Sequence, residues 1–240
     1  MPKPPDTVAL LLAAGRSTRM GGATQKTLLT VAGRAVALRS AEALLGAPSV
    51  RGLIVVARPE DRAALEAALR PVAARILAWA DGGPERVDSV RAGVAAAPRD
   101  ASVLLVHDAA RCLVRSARVE EVARAAAREG AAVLAVRVRD TIKRARDGAH
   151  VDETLPRAEL WAAATPQGAR AALLRAALDA AARDSFMPTD DVALIERYPS
   201  LGARVVLVED DDDNLKLTSP ADVVIAEALL AQRAVHGQEQ

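Results

Sequence analysis

The stretch of this 240-residue chain best equipped for chemistry lies near its beginning, where Leu11 to Lys26 read L-L-A-A-G-R-S-T-R-M-G-G-A-T-Q-K. An apolar run stops at Gly15 and gives way to small, polar and cationic residues. Small residues let backbone N–H groups come close to an anion, and Arg16, Arg19 and Lys26 add positive charge beside them. The pattern predicts a buried strand emptying into a loop that receives phosphate. It is not a Walker A loop, because five residues separate Gly15 from Gly21 and Gly22 stands where a lysine belongs. Nor is it a dinucleotide fingerprint, since Ser17 and Met20 occupy positions that G-x-G-x-x-G reserves for glycine.

Three further stretches carry residues able to handle anions. Asp81-Gly82-Gly83-Pro84-Glu85-Arg86-Val87-Asp88-Ser89 is a second glycine-rich turn leading into a helix. The helix start offers free N–H donors, and Ser89 adds a hydroxyl. A plain turn with a capped helix explains the same residues. Asp108 ends the apolar run 103–107, and a carboxylate at a strand's C-terminal end suits Mg²⁺ bridging phosphates. Arg111 could clamp a second anion, or pair with Asp108 on the surface. His107 reads as structural. Lys216, in Leu215-Lys216-Leu217 of a strand-like stretch, either faces solvent or points into a site. The acidic run 209–213 reads as a solvated loop, because it lacks the spacing and glycine of a calcium loop. Thr165-Pro166-Gln167 and Thr189-Asp190-Asp191, taken singly, are turn and N-cap signals.

The elements that must position these residues follow from periodicity. Residues 8–12, 53–57, 75–79, 103–107 and 132–138 are short and apolar or β-rich, whereas 35–45, 60–69, 85–97 and 116–129 carry Ala, Leu and Val at helical spacing. The alternation predicts an α/β fold with a mostly parallel twisted sheet and helices on both faces, as one domain over residues 1–240. Ligands then bind where strand C-termini open into loops. Residues 140–156 break the rhythm around Asp147-Gly148, a two-residue hairpin signal. A hairpin this polar predicts a projecting arm, and because an isolated pair of strands is marginal in water it should pack on another subunit. Ser219 as N-cap, Pro220 at the first position and Asp222 in the first turn predict a C-terminal helix.

Composition narrows the function. Lys plus Arg number 32 against 31 for Asp plus Glu, and only Trp79, Trp161, Phe186 and Tyr198 are aromatic. Neither a basic field nor a stacking platform argues for nucleic acid. Cys112 is the only cysteine, so an intrachain disulfide and a cysteine metal cluster are excluded. Apolar runs fall well short of the roughly 20 residues of a membrane helix, and a cytoplasmic location is expected.

Taken together, the motifs give the chain a family resemblance. From Val8 to the C-terminal helix it resembles the 2-C-methyl-D-erythritol 4-phosphate cytidylyltransferases of the non-mevalonate isoprenoid pathway. A-A-G-R-S-T-R-M with Lys26 fits any glycosyltransferase-A-like nucleotidyltransferase. The narrower likeness rests on D-S-V at 88–90, H-D-A-A-R at 107–111, V-R-D-T at 138–141, T-P-Q at 165–167 and D-N-L-K-L-T at 213–218. The resemblance implies cytidylyl transfer from CTP to methylerythritol phosphate with release of pyrophosphate, a need for Mg²⁺ and a homodimer built through the arm. It places the triphosphate cations at Arg19 and Lys26, and cytidine contacts near Ala13, Ala14, Gly15, Gly83 and Ser89. Polyol phosphate contacts fall on Asp108, Ala109, Arg111, Thr141, Thr189 and Lys216, with Arg157 lent by the partner's arm. Gln25, Thr27, Pro84 and Cys112 depart from the family's usual residues. Two other functions stay open on these residues: a cytidylyltransferase for another polyol phosphate such as ribitol 5-phosphate, or a non-catalytic nucleotide-binding domain.

Overall fold

The computed structural model describes residues 4–15, 25–235 and 237. In chain order, β1 (Thr7–Leu12) precedes the short strands β2 (Thr30–Val31) and β3 (Arg34–Ala35) and helix α1 (Val36–Leu45). There follow β4 (Val50–Ala57), α2 (Arg62–Ala68), β5 (Ile76–Asp81), α3 (Arg86–Ala96), β6 (Val103–Asp108), α4 (Ser116–Glu129) and β7 (Gly130–Arg137). The second half adds β8 (Lys143–Arg144), β9 (Glu153–Thr154), β10 (Trp161–Arg170), α5 (Ala171–Arg183), α6 (Ala193–Arg197), β11 (Arg204–Glu209) and α7 (Pro220–Val235).

Seven strands form one sheet in the order β11-β7-β10-β6-β1-β4-β5. All pairings are parallel except those of β10, which runs antiparallel to both β6 and β7. The central strands are apolar on both faces because helices cover both. Alternate side chains of β1 show this directly. Ala9 and Leu11 pack with α1 and α4, while Val8 and Leu10 pack with α3 and α5.

Two expectations need correcting here. Thr165-Pro166-Gln167 is no turn but lies inside β10, where the register with β7 shifts between Ala163 and Gln167. That irregularity accommodates a proline, which has no N–H to give the ladder. Lys216 sits in no strand. Residues 214–218 run outside any strand between β11 and α7, held by Leu217 N–H donating to Ala110 O at 2.9 Å and by a third apolar cluster that includes Val31, Val36, Leu113, Leu217, Ala226 and Leu230.

The arm also differs in detail from expectation. Strands β8 and β9 pair antiparallel in a sheet of their own, with residues 145–152 between them rather than a two-residue turn. Asp147 accepts N–H bonds from Ala149 and His150 at 2.9 and 2.8 Å. This side-chain turn widens the loop, and Gly148 takes a φ of +73° that favours glycine.

Candidate active site

The parallel register sets Leu12 of β1 beside Val56 of β4 and Asp108 of β6, so these strand ends open on one side. A cleft of about 740 Å³ lies there, a volume suited to a small ligand. Of the residues singled out from sequence, Ala14, Gly15, Lys26, Gly83, Ser89, Asp108 and Lys216 line it. Arg19 lies outside the described residues. Ala13 and Ala109 are fully buried beneath the floor, and both of their carbonyls are taken. Gln25 Nε2 donates to Ala13 O at 2.8 Å, and Ser40 Oγ donates to Ala109 O at 2.8 Å. Arg111, Thr141, Arg157 and Thr189 are not among the lining residues.

The glycine turn is shaped by close backbone approach. Gly82 N–H donates to Ala57 O at 2.8 Å, and a Cβ on Gly82 would meet the Ala14 Cβ at 2.2 Å. A Cβ on Gly83 would meet the Asp88 Cβ at 2.3 Å. Any larger residue at either position would force the turn or its neighbour to shift. Ser89 Oγ accepts the Gly83 N–H at 3.1 Å. The helix start is less open to an anion than its sequence suggests. Glu85 and Asp88 form a capping box, and Asp88 Oδ2 accepts the Glu85 N–H at 3.2 Å.

Asp108 stands between two cations. Lys216 Nζ donates to its Oδ2 at 2.6 Å, and Arg86 Nη2 to its Oδ1 at 3.3 Å. Burial works against the Asp108 charge, yet Arg86 and Lys216 outweigh it and hold the carboxyl well below the usual carboxylate range. The direction of Lys216 follows from its neighbours. Leu217 is fully buried in the third apolar cluster and Leu215 packs against it, so the intervening lysine turns toward the cleft. Arg86 carried no assigned role from sequence. The one local signal for it was a cation directly after a glycine turn.

Beneath Asp108, a neutral network holds the turn. His107 Nε2 lies 3.2 Å from Arg111 O, so this nitrogen carries the hydrogen, and Nδ1 accepts from the Thr165 hydroxyl at 3.1 Å. Thr165 Oγ1 in turn accepts the Asp108 N–H at 3.1 Å. Burial pushes the His107 pKa down to about 4, which keeps the ring neutral. Arg111 Nη1 donates to Asn214 O at 2.9 Å, while its Nε is buried without a hydrogen-bond partner. Asn214 directly follows the acidic run 209–213 that reads from sequence as a solvated loop. That loop is instead tied down. Asp211 pairs with Arg115 and Arg118, Asp213 pairs with Arg115 and Arg233, and Arg139 holds Asp212. Asp210 is buried and accepts from Asn214 Nδ2 at 2.7 Å.

Among the described residues no three His, Cys, Asp or Glu side chains gather as a metal cage. Asp108 is the carboxylate paired with Lys216 in the cleft, which Glu60 and Glu85 also line. A single hard oxygen ligand fits a magnesium ion delivered on phosphates, which seldom uses an all-protein cage.

Comparison with known proteins agrees with this geometry. The family described as 2-C-methyl-D-erythritol 4-phosphate cytidylyltransferase matches residues 7–232. A protein of that name from Geobacillus thermodenitrificans is 39% identical over 226 residues, covering 94% of this chain and 97% of its own. Another from Gloeobacter violaceus is 40% identical over 223 residues, covering 92% and 94%. The crystal structure of the cytidylyltransferase from Thermus thermophilus superposes with a TM-score of 0.74 at 33% identity, covering 95% of this chain and 99% of that one. A synthase structure from Anaerococcus prevotii reaches a TM-score of 0.84 at 24% identity and supports the fold. Cleft, motifs and relatives converge, and the chain belongs to the 2-C-methyl-D-erythritol 4-phosphate cytidylyltransferase family.

Proposed function

We propose that the Asp108 cleft joins CTP to 2-C-methyl-D-erythritol 4-phosphate, giving 4-diphosphocytidyl-2-C-methyl-D-erythritol for isoprenoid synthesis. An oxygen of the polyol's phosphate attacks the α-phosphorus of CTP and forms the new P–O bond. The bond from that phosphorus to the bridging oxygen breaks, and pyrophosphate leaves with the electron pair. No covalent enzyme intermediate is needed. The work of the protein is to hold two polyanions together and to stabilise charge that grows in the transition state. One observation carries the reading: Lys26, Asp108 and Lys216, far apart in sequence, face one cleft with the glycine turn.

In this reading Ala14, Gly15, Gly83 and Ser89 receive the nucleotide, with Ala13 fixing the loop from below. Lys26 and Arg19 neutralise the triphosphate. Lys216 stabilises the attacking phosphate, and Asp108 holds Lys216 in place. Ala109 seats the turn, and Arg111, with an unmet buried N–H, offers a second anchor for the polyol phosphate. Mg²⁺, ligated by Asp108 and the phosphates, would screen their charge and favour the leaving pyrophosphate.

The arm completes the proposal. Thr141 and Arg157 are exposed and away from their own chain's cleft, where Arg157 Nη1 donates to Arg139 O at 2.8 Å. A partner's arm over residues 140–156, with Arg157 directly after it, would bring them to the site of a homodimer, where Thr189 is also assigned to the polyol phosphate. Among the described residues no helix is long and apolar enough to cross a membrane. We place the reaction in the cytoplasm with its nucleotide.

Pyrophosphate release, measured with CTP and a panel of polyol phosphates with and without Mg²⁺, tests the reaction. Release with methylerythritol phosphate that requires the metal is expected. Release with ribitol 5-phosphate alone would overturn the acceptor.

A further inference from the structure

We propose that Arg86 is a positioning residue that sets the polyol phosphate half of the site while leaving the nucleotide half to hold itself. The inference rests on the reaction proposed above. Arg86 opens α3, and its guanidinium makes a two-pronged bond to Asp191, with Nη1 to Oδ1 at 2.5 Å and Nη2 to Oδ2 at 2.8 Å. Nη2 also reaches Asp108 Oδ1 at 3.3 Å. One side chain thus fastens three segments: the start of α3, the end of β6 and the loop before α6.

Apart from Arg86, that loop is held chiefly through Gln167 and by Asp190 accepting the Ala193 N–H at 2.9 Å. Asp191 N–H and Val192 N–H both donate to Gln167 Oε1 of β10, at 2.8 and 3.0 Å. Gln167 Nε2 donates to Asp190 Oδ2 at 3.1 Å. Asp191 is buried, and among the described residues Arg86 is the cation paired with it. Asp190 and Asp191 directly follow the proposed polyol contact Thr189, so their placement passes to that substrate. Asp108, which steadies Lys216, depends on the same guanidinium.

The nucleotide turn does not depend on Arg86. Gly82 is bonded to Ala57, Gly83 to Ser89, and Glu85 to Asp88. The charge of Arg86 is also committed, because it pairs with Asp191 and reaches Asp108, which Lys216 shares. A spare cation for the triphosphate would be replaceable by lysine. A fork spanning two carboxylates is not, since an ammonium lacks the planar pair of donors.

The test is steady-state pyrophosphate release by Arg86→Lys, Arg86→Gln and Asp191→Asn beside the wild type, with CTP and acceptor varied separately. Both Arg86 variants and Asp191→Asn should raise the KM for the acceptor by about tenfold or more, with the KM for CTP within about twofold of wild type. Calorimetric binding of the acceptor to enzyme saturated with a non-hydrolysable CTP analogue should weaken by the same factor. A rise in the KM for CTP instead, or wild-type constants in Arg86→Lys, overturns the assignment. So does a loss confined to melting temperature or active fraction, which a purely structural role would give. The acceptor used is whichever polyol phosphate the wild type turns over, so a wrong acceptor and a wrong role for Arg86 give different results.

Discussion

At the scale of single residues, the chemistry turns on where charge is aimed. Lys216 could have faced solvent on sequence alone, and the burial of Leu217 decides otherwise. Replacing Lys216 by Ala removes the cation nearest the proposed attacking phosphate. Turnover should fall by about 10²-fold, roughly 3 kcal/mol of barrier, in a pyrophosphate assay at saturating CTP. Lys26→Ala should cost a similar amount, and wild-type turnover in either variant would remove that lysine from the mechanism. Asp108, Lys26, Ser89 and the glycines were legible because each sits in a short window whose residue types have few other uses. Arg86 was not, because its meaning lies in Asp191, which no local pattern connects to it.

At the scale of elements, the glycine turn and the arm make separate predictions. Gly82→Ala places a methyl where the Ala14 Cβ already stands, at 2.2 Å, so either the turn or the first loop must move. The KM for CTP should rise about tenfold, with about 1–3 kcal/mol lost from stability in urea unfolding. The arm is polar and exposed, and its two-residue strands give it little reason to persist alone. If the homodimer proposed above forms through this arm, deleting residues 142–155 should leave a monomer in light scattering behind size-exclusion chromatography, with activity lost in parallel. Mixing Lys216→Ala and Arg157→Ala subunits should restore activity, because each mixed dimer holds one intact composite site. No restoration would mean that each chain completes its own site. Helices α1 to α4 and α7, and strands β1 and β4 to β7, were readable from spacing, whereas α5 and α6 were not. Strand β10 was not, since an alanine-rich run with an internal proline carries little strand propensity and is held by neighbours on both sides.

At the scale of the whole molecule, the buried His107 makes stability depend on pH. Its folded pKa of about 4 lies below the unfolded value near 6.5, so the unfolded chain takes up a proton first as pH falls. This contribution is complete above pH 6.5 and is lost as pH drops toward 4, amounting to about 2 kcal/mol by pH 5. Asp210 acts in the opposite sense. Burial raises its pKa to about 6, so its protonation favours the fold as pH falls through that value. Urea unfolding at pH 7, 6 and 5 should therefore show a shallower loss in His107→Asn than in wild type, whatever the variant's absolute stability. Equal slopes would remove His107 as the cause.

The amino-acid order by itself determined the α/β alternation and the strand-end location of the cleft. These depend on periodicity and turn chemistry, which act over neighbouring residues. The tertiary structure alone decided that β10 enters the sheet antiparallel, that Lys216 points inward and that Arg86 binds a carboxylate on a distant loop. Each of those depends on groups far apart in the chain becoming neighbours, where burial and charge pairing outweigh any local preference.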